Sequence, residues 1–488
     1  MHDWLMERAR ATPGALALIT AEGRWSYAEL ERDAARMAAG LAARGIGPGD
    51  NVATLLPNDA HFVMVIHALA RLGAVLVPLN ARLTPAELAW QVQRVGAWAL
   101  LCSEATAELA ARAGGQVRLI RVGELMAHDW SSSEPPFPFS LEQDQAIVFT
   151  SGTTGKPKGA VITFANHFWS ATASAYRLGV QPDDRWLSCL PLYHVGGLAV
   201  VFRSCLYGTA VVLHERFELD RFNRSLDRGR ITLTSLVPTM LHRLLDARPD
   251  GWPDSLRAIL LGGAAASPEL LERAFAQGLP IAPTYGLTEA ASQVATLRPA
   301  DAQAKPGSVG RPLMFIRVRI ADERGETLPT GQHGEILVSG PTIMRGYYGD
   351  QAATAAAIQN GELHTGDVGH LDEEGDLWVL QRRSDIIISG GENVYPAEVE
   401  TVLAQFPGVT RACVVGVPHA EWGQQVAALV EVETPGGMSE ADLRAHCRRR
   451  LAGYKCPRQV AFTEALPLTA SGKIARARVE EMLAEQKP

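Results

Sequence analysis

The sequence predicts an α/β protein whose larger part consists of mainly parallel, helix-covered sheets. In the first third of its 488 residues, apolar side chains recur at helical spacing over 27–43, and a second helix-like stretch covers 58–72. Short apolar runs at 52–56 and 74–79 follow these two stretches. Buried strands that alternate with helices are typical of parallel sheets with helices on both faces.

The later parts of the chain predict a division into domains, because one ordinary core cannot hold a chain of this length. Short strand patterns at 317–320 and 335–338 are separated by turns and predict a small β-barrel-like subdomain. The C-terminal segment has a strand and helix pattern of its own. We therefore expect an N-terminal domain over 1–383 and a small α+β domain over 384–488.

The composition limits the classes of function. The formal net charge of −7 argues against a general nucleic-acid-binding protein, which needs a basic surface to displace phosphate counterions. The six cysteines have no zinc-site spacing and are too sparse for a disulfide framework, so they predict thiols in a reducing compartment. The charged N-terminus lacks the apolar stretch of a signal peptide, and no apolar run is long enough to span a bilayer. We therefore expect a cytoplasmic protein without membrane insertion.

The segment 150–159 is rich in glycine, hydroxyl and lysine side chains and follows a strand pattern at 146–149. Its glycines allow backbone N–H groups to approach an anion, and its hydroxyls and lysines supply further donors and positive charge. The segment therefore predicts a phosphate-binding loop rather than a plain turn. It is not a Walker A loop, since Pro157 stands where that motif has glycine. The residues expected to bind phosphate are Thr150, Ser151, Gly152, Thr153, Thr154, Gly155, Lys156 and Lys158.

This loop resembles the signature of the adenylate-forming superfamily, which contains acyl-CoA synthetases, nonribosomal adenylation domains and luciferases. Further motifs of the superfamily follow in its order along nearly the whole chain. They cover residues 190–194, 262–264, 285–289, 364–367, 382–393 and 471–473. The resemblance implies a ligase with a mobile C-terminal domain, with ATP, Mg²⁺ and coenzyme A as cofactors and a carboxylic acid as substrate.

The resemblance also assigns roles in nucleotide binding. The residues it places on adenine are Tyr285, Gly262, Gly263 and Ala264. It places Asp367 and Arg382 on the ribose and Glu289 on Mg²⁺. Independently of the resemblance, the Thr288 hydroxyl of the same motif could reach a phosphate. Without the resemblance, an aspartate after a glycine would be interpreted as a turn residue, and an isolated arginine as a surface residue.

The C-terminal domain carries the remaining implied roles. Lys473 resembles the catalytic lysine that swings in for adenylation, although a lysine in such a turn is usually solvated. The resemblance places the hinge at Ser384 and Asp385, although Ser384 stands where the family commonly has lysine or aspartate. It also implies that Gly390 and Gly391 approach the pantetheine of coenzyme A. The candidate catalytic residues are Lys473, Thr288, Glu289 and His194.

On the acyl side, the superfamily implies that His194 lines the pocket with Gly196 beside it, whereas a lone histidine among apolar residues is usually structural. Within the superfamily the chain resembles the o-succinylbenzoate–CoA ligases of menaquinone biosynthesis, notably over 166–171 and 383–396. Their substrate is a dicarboxylate, so the carboxylate that does not react needs a partner. Arg203 is the candidate, with an arginine at a helix surface as the alternative. Ser292 is a candidate neutral donor.

The identity of the acid and of the acceptor leaves alternatives open. These are a fatty or aryl acyl-CoA ligase, a stand-alone adenylation protein that loads a carrier protein, and a luciferase-like monooxygenase. A noncatalytic nucleotide-binding module is disfavoured because the phosphate loop, Glu289 and Lys473 are all present. The sequence also leaves open whether the chain forms a homo-oligomer.

Overall fold

The computed structural model describes residues 3–128, 130, 140–150, 157–248, 251–381, 386–432, 439–468 and 474–485. The chain folds into two compact units. The first comprises 1–81, 92–149 and 159–381, and the second comprises 82–91, 150–158 and 382–488. The predicted boundary between residues 383 and 384 lies outside the described residues and stays a prediction.

The strands and helices are numbered in chain order. The strands are β1 (Leu16–Ile19), β2 (Arg24–Ser26), β3 (Asn51–Leu55), β4 (Val75–Pro78), β5 (Ala99–Cys102), β6 (Arg118–Arg121), β7 (Asp144–Thr150), β8 (Lys158–Thr163), β9 (Arg185–Ser188), β10 (Ala210–Leu213), β11 (Leu233–Leu236), β12 (Ala258–Leu261), β13 (Ile281–Leu287), β14 (Ser292–Thr296), β15 (Arg317–Ala321), β16 (Gly334–Ser339), β17 (Gly346–Tyr347), β18 (Ile358–Gln359), β19 (Glu362–Leu371), β20 (Leu377–Gln381), β21 (Ile387–Ser389), β22 (Glu392–Val394), β23 (Val409–His419), β24 (Gly423–Val432) and β25 (Gln459–Thr463). The helices are α1 (Trp4–Ala11), α2 (Tyr27–Ala42), α3 (Ala60–Leu72), α4 (Pro85–Arg94), α5 (Ala107–Gly114), α6 (Val122–Met126), α7 (Phe164–Leu178), α8 (Val195–Tyr207), α9 (Leu219–Arg228), α10 (Pro238–Ala247), α11 (Pro268–Ala276), α12 (Pro299–Ala302), α13 (Gln351–Ala357), α14 (Pro396–Leu403), α15 (Glu440–Arg448) and α16 (Arg476–Glu485).

Two mainly parallel sheets form the larger part of the first unit, as the sequence predicts. One has eight strands in the order β14-β13-β12-β11-β9-β10-β1-β2, and only its outermost pairs, β13 with β14 and β1 with β2, are antiparallel. The other has seven strands in the order β17-β8-β7-β4-β3-β5-β6. Their inner strands are largely buried, which is typical of parallel sheets covered by helices. Of the edge strands, β6 is mostly exposed and β2 has no buried residue.

A separate antiparallel sheet contains the strands predicted at 317–320 and 335–338. Its order is β15-β16-β19-β18, with β20 paired to β19. Its own apolar cluster includes Ile320, Ile336, Val338 and Leu363. This is the predicted β-rich subdomain, observed as one antiparallel sheet in the described residues.

The second unit contains an α+β sheet of its own. Its order is β22-β21-β24-β23, and β25 pairs with β24 in parallel. Val414, Val426, Ala428 and Val430 lie in the apolar cluster on one face of the β23–β24 ladder. A separate C-terminal core of this kind agrees with the predicted small α+β domain.

Local sequence explains where helix α2 begins and which face it buries. Ser26 accepts a hydrogen bond from the Glu29 N–H, and the Glu29 carboxylate accepts one from the Ser26 N–H, which is a capping box. The face predicted from apolar spacing is buried. It consists of Leu30, Ala34, Met37, Ala38 and Leu41.

The helices and the cysteines bear on whether the chain contains a membrane-spanning segment or disulfides. None of the described helices is long and apolar enough to cross a membrane. No disulfide links the six cysteines, and all six are buried.

Candidate active site

The residues assigned to adenine and to ribose meet in a direct hydrogen bond. The Tyr285 hydroxyl donates to Asp367 Oδ2 at 2.6 Å, and both side chains are buried. Tyr285 lies on β13 and Asp367 on β19, so the bond joins the eight-stranded sheet to the antiparallel sheet. It also restricts the tyrosine ring, whose face is the surface that would stack on a base. Two residues 82 positions apart in sequence thus belong to one site.

Asp367 is held in place by its own strand and by β16. The Gly366 N–H donates to Glu335 Oε1 at 2.9 Å, and the Asp367 N–H donates to Thr365 Oγ1 at 3.0 Å. The Thr365 hydroxyl in turn donates to the Ile336 carbonyl oxygen at 2.7 Å. Because β16 and β19 also form an antiparallel ladder, the carboxylate is positioned before any ligand binds.

The loop 262–264 follows β12 and lies against β13. The Gly262 N–H donates to the Leu236 carbonyl oxygen at 3.1 Å. A Cβ atom at position 262 would lie 2.7 Å from Thr284 Cγ2, so only glycine fits there. Thr284 directly precedes Tyr285, and β12 and β13 are parallel. The loop therefore lies at the carboxyl ends of neighbouring parallel strands, where open α/β sheets bind their ligands.

Glu289 lies in a short 3₁₀ helix, Thr288–Ala290, which follows β13. The Tyr347 hydroxyl donates to Glu289 Oε1 at 2.8 Å, and the Met344 N–H donates to the Glu289 carbonyl oxygen at 2.9 Å. No cluster of three or more His, Cys, Asp or Glu among the described residues could hold a metal by itself. Mg²⁺ commonly binds one or two carboxylates together with substrate phosphates, so one oriented carboxylate suits it.

The backbone after Glu289 is strained. Ala291 has φ of 50° and Ser292 has φ of 104°, both in the left-handed region that non-glycine residues rarely adopt. A Cβ atom at Gly286 would lie 1.8 Å from the Ser292 carbonyl oxygen, so β13 and β14 approach closely at this turn. Strained backbone of this kind is common at active sites, and here it fixes the turn that carries Thr288 and Glu289.

His194 immediately precedes helix α8 and stands on a rigid loop. The Asn58 side chain donates to the Leu190 carbonyl oxygen at 2.8 Å and accepts from the Leu192 N–H at 3.0 Å. The rings of Tyr193 and His194 lie 4.7 Å apart in an edge arrangement. Gly196, the other residue predicted beside the acyl pocket, lies in the first turn of α8.

Arg203 is buried rather than at a helix surface, with 2% of its surface exposed. Its Nη2 donates to Ser170 Oγ at 3.2 Å, and the Ser170 hydroxyl donates to the Ala291 carbonyl oxygen at 2.8 Å. Its guanidinium carbon lies 5.9 Å from the centre of the Trp186 ring. Within the described part of the chain, no carboxylate forms an ion pair with Arg203, and burial lowers its pKa. The hydrogen-bond chain connects this cation to the turn after Glu289.

The structure adds His167, which the sequence did not identify as a site residue. It lies on α7, one helical turn before Ser170, and its ring centre is 4.5 Å from that of Phe202. Burial, followed by the nearby Arg203 guanidinium, lowers the pKa of His167 to about 3. The three-residue spacing to Ser170 puts both side chains on one helix face, but that spacing is equally common in plain core helices.

Several predicted site residues belong to the second unit. Thr150 ends β7 and Lys158 begins β8, so these strands bracket the predicted phosphate loop. Gly390 and Gly391 form the turn between β21 and β22, with φ of 59° and 84°. A two-residue hairpin of this type requires positive φ at both positions, which explains both glycines without a ligand.

Other predicted residues lie outside the described part of the chain, and their roles stay predictions. They are Ser151, Gly152, Thr153, Thr154, Gly155, Lys156, Arg382, Ser384, Asp385 and Lys473.

The chain matches known proteins in both sequence and fold. Residues 5–348 match the family described as AMP-binding enzyme, and residues 398–473 match the AMP-binding enzyme C-terminal domain. The chain belongs to the AMP-binding enzyme family. The predicted superfamily and the predicted α/β fold with a separate C-terminal domain are thereby confirmed.

This AMP-binding enzyme is 39% identical over 482 residues to the 2-succinylbenzoate–CoA ligase of Geobacillus sp. (strain WCH70), and the match covers 99% of this chain and 97% of the relative. It is also similar to a double mutant of o-succinylbenzoate CoA synthetase from Bacillus subtilis bound with its product analogue OSB-NCoA. That structure has a TM-score of 0.94 and 41% identity, and the match covers 99% of this chain and 98% of the other. The Bacillus subtilis synthetase in complex with ATP and magnesium ion has a TM-score of 0.77 and 41% identity, with coverage of 98% and 99%.

Proposed function

We propose that this AMP-binding enzyme ligates 2-succinylbenzoate to coenzyme A. ATP and the acid first form an acyl-adenylate and pyrophosphate, and the coenzyme A thiol then displaces AMP. The observation that carries the choice of acid is Arg203, a buried cation without a carboxylate partner among the described residues. It belongs to an enzyme whose relative at 39% identity is a 2-succinylbenzoate–CoA ligase.

The nucleotide would bind between the loop 262–264 and the Tyr285–Asp367 pair. The tyrosine ring offers a face for adenine, and a carboxylate can accept several hydrogen bonds, so Asp367 can also accept from ribose hydroxyls. The loop brings its backbone next to the strand of Tyr285 because Gly262 has no side chain. These groups would orient ATP with its phosphates toward the turn that carries Glu289.

The attack of a carboxylate on ATP brings negative charges together, so the site must place positive charge where negative charge builds up. Mg²⁺ held by Glu289 would supply Lewis-acid stabilisation of the departing pyrophosphate. Tyr347 would keep the Glu289 carboxylate oriented for this role. We assign the Thr288 hydroxyl and the loop 150–158 to the phosphates. Positioning and electrostatics then account for the chemistry without a covalent enzyme intermediate.

Lys473 completes the first half-reaction in this proposal by bridging the attacking carboxylate and the α-phosphate. A swing of the C-terminal domain, 384–488, about Ser384 and Asp385 would then exchange Lys473 for the thiol. Motions of this kind complete a site and protect a reactive intermediate from water. Gly390 and Gly391 would lie beside the pantetheine in the second half-reaction.

Arg203 would pair with the carboxylate that does not react. A buried charge without a partner is costly, and an ionised carboxylate in an apolar pocket is costly as well. When the dicarboxylate binds, the Arg203 guanidinium and the second carboxylate therefore offset each other's cost of burial. His194, Gly196 and Ser292 would line the remainder of the acyl pocket.

The same proposal includes the cellular setting. Six buried cysteines without a disulfide suit the reducing cytoplasm in which we place the enzyme. ATP, coenzyme A and the acid are its expected small-molecule partners.

The experiment is a screen for acid-dependent pyrophosphate release over a panel of carboxylic acids with coenzyme A and Mg·ATP. The panel should contain 2-succinylbenzoate, aryl monoacids and fatty acids. We expect 2-succinylbenzoate to be the best substrate, with coenzyme A converted to the thioester. Turnover of a carrier-protein thiol but not of coenzyme A would favour an adenylation protein. Oxygen consumption would favour a luciferase-like monooxygenase.

A further inference from the structure

The buried imidazole of His167 has no hydrogen-bond partner on either ring nitrogen within the described part of the chain, although only 2% of the residue is exposed. Buried polar side-chain atoms are nearly always hydrogen-bonded, and each exception needs an explanation such as a bound water or ligand. Leaving a buried N–H without a partner costs free energy. Plain packing would favour an apolar ring of the same size at this position.

The surroundings of His167 contain further donors. Helices α7 and α8 pack together, with the His167 ring against Phe202 and the neighbouring Arg203 within reach of Ser170. The Ser170 hydroxyl is occupied because it accepts from Arg203 and donates to the Ala291 carbonyl oxygen. Arg203 Nε, like the His167 nitrogens, has no partner among the described residues.

The protonation state of His167 allows the ring to donate a hydrogen bond but not to act as a cation in an ion pair. Burial and the Arg203 guanidinium lower the pKa of His167 to about 3, so the ring is neutral near pH 7. A neutral imidazole offers one N–H donor and one acceptor nitrogen. A carboxylate has two oxygens, which matches one N–H from Arg203 and one from His167.

We propose that His167 is a specificity-determining residue that, beside Arg203, donates a hydrogen bond to the carboxylate of the acid that is not activated. The inference rests on the proposed function, since it assumes a dicarboxylate substrate. Arg203 provides the charge, Ser170 holds the guanidinium, and His167 adds the second donor. An acid that lacks this carboxylate leaves both donors unpaired, and sites of this kind reject such analogues strongly.

The test compares two acids as substrates of the wild-type enzyme, of His167→Phe and of a control variant. The acids are 2-succinylbenzoate and 4-oxo-4-phenylbutyrate, which lacks the carboxylate on the ring. His167→Phe keeps a flat ring and removes the donor. We expect its kcat/KM for 2-succinylbenzoate to fall by about tenfold to a hundredfold, mainly through KM, which is the range for a hydrogen bond to a charged group. Its kcat/KM for the monoacid should stay within about twofold of the wild-type value.

A matched control is available in His67→Phe. His67 is also buried, and its ring lies 6.1 Å from the same Phe202 ring. The Phe202 environment is thus changed without removing the proposed donor. We expect this variant to keep the wild-type ratio between the two acids. His167→Asn and His167→Gln place an amide N–H near the positions of Nδ1 and Nε2 respectively. One of these two variants should therefore restore part of the preference for 2-succinylbenzoate over the monoacid.

Three outcomes would overturn the inference. The first is an equal loss of kcat/KM for both acids in His167→Phe. The second is the same loss of acid preference in His67→Phe. The third is a wild-type acid preference in His167→Phe, which would mean that a water molecule satisfies the His167 ring. If His167→Phe does not fold, as judged by circular dichroism, His167→Met is measured with the same outcomes. A wild-type enzyme that does not prefer 2-succinylbenzoate in the acid screen would instead refute the proposed function.

Discussion

The Tyr285 hydroxyl donates to Asp367 Oδ2 at 2.6 Å, which connects a strand of the eight-stranded sheet to a strand of the antiparallel sheet. The aromatic ring assigned to adenine and the carboxylate assigned to ribose are therefore coupled. A change at one residue should affect the position of the other. The coupling can be measured both in stability and in nucleotide binding.

Tyr285→Phe should weaken both properties. The ring remains, but the buried Asp367 carboxylate loses a donor, and a hydrogen bond to a charged group contributes about 1.5–3 kcal/mol. We expect the free energy of unfolding in urea to fall by about this amount, and KM for ATP to rise with a smaller change in kcat. Tyr176→Phe, at a tyrosine that is 66% exposed, is the control. Unchanged stability and unchanged KM in Tyr285→Phe would contradict the coupling.

Tyr347→Phe should weaken the binding of Mg²⁺ rather than the binding of the nucleoside. Its hydroxyl donates to Glu289 Oε1 at 2.8 Å, and loss of an orienting partner typically weakens a metal site by about tenfold to a hundredfold. The Mg²⁺ concentration for half-maximal pyrophosphate release should therefore rise. The neighbouring Tyr348→Phe loses only a hydrogen bond from Asn51 and serves as the matched control. Equal Mg²⁺ dependence in the two variants would show that Tyr347 does not orient Glu289 for the metal.

Regular elements with one buried face could be predicted from the sequence. The predicted buried face of α2 is correct because the apolar side chains of this helix are regularly spaced and Ser26 caps its N-terminus. The helix expected over 58–72 begins instead at Ala60, because the Asp59 side chain accepts from the Phe62 N–H and caps it. The family and the ligase activity predicted from the ordered motifs are confirmed by the family match and the relatives.

Long-range partners could not be predicted in the same way. Nothing near Tyr285 in sequence indicates Asp367, because that contact depends on how two sheets meet. The burial of Arg203 has a local signal, since α8 is apolar on all sides and the whole stretch from Leu198 to Cys205 is buried. His167 could not be distinguished from a core histidine, because its missing partners are visible only in three dimensions.

Arg203→Leu should separate stability from specificity. A buried charge without an ion-pair partner is costly to desolvate, so an apolar side chain at this position should not destabilise the fold. We expect the free energy of unfolding to stay equal or to rise, while kcat/KM for the dicarboxylate falls and KM for ATP is unchanged. Arg203→Lys keeps the charge and should retain part of the preference. A large loss of stability without a change in acid preference would assign Arg203 a purely structural role.

Lys473→Ala should separate the two half-reactions. Removing one preorganised charge-stabilising donor costs about two to three orders of magnitude in rate, so acid-dependent pyrophosphate release should fall by that factor. Thioester formation from a synthetic acyl-adenylate and coenzyme A should remain near the wild-type rate. The two rates are measured separately by pyrophosphate release and by rapid-quench thioester formation. If both fell equally, the domain swing proposed for Lys473 would be wrong.

The preference for a second carboxylate tests the central claim most directly. The measurement is the ratio of kcat/KM for 2-succinylbenzoate to kcat/KM for 4-oxo-4-phenylbutyrate in the wild-type enzyme, with ATP, Mg²⁺ and coenzyme A saturating. A site that pairs the second carboxylate should give a ratio of at least about a hundred, because the monoacid leaves buried polar groups unpaired. A ratio near one, or faster turnover of fatty acids than of either compound, would contradict the assignment of 2-succinylbenzoate as the substrate.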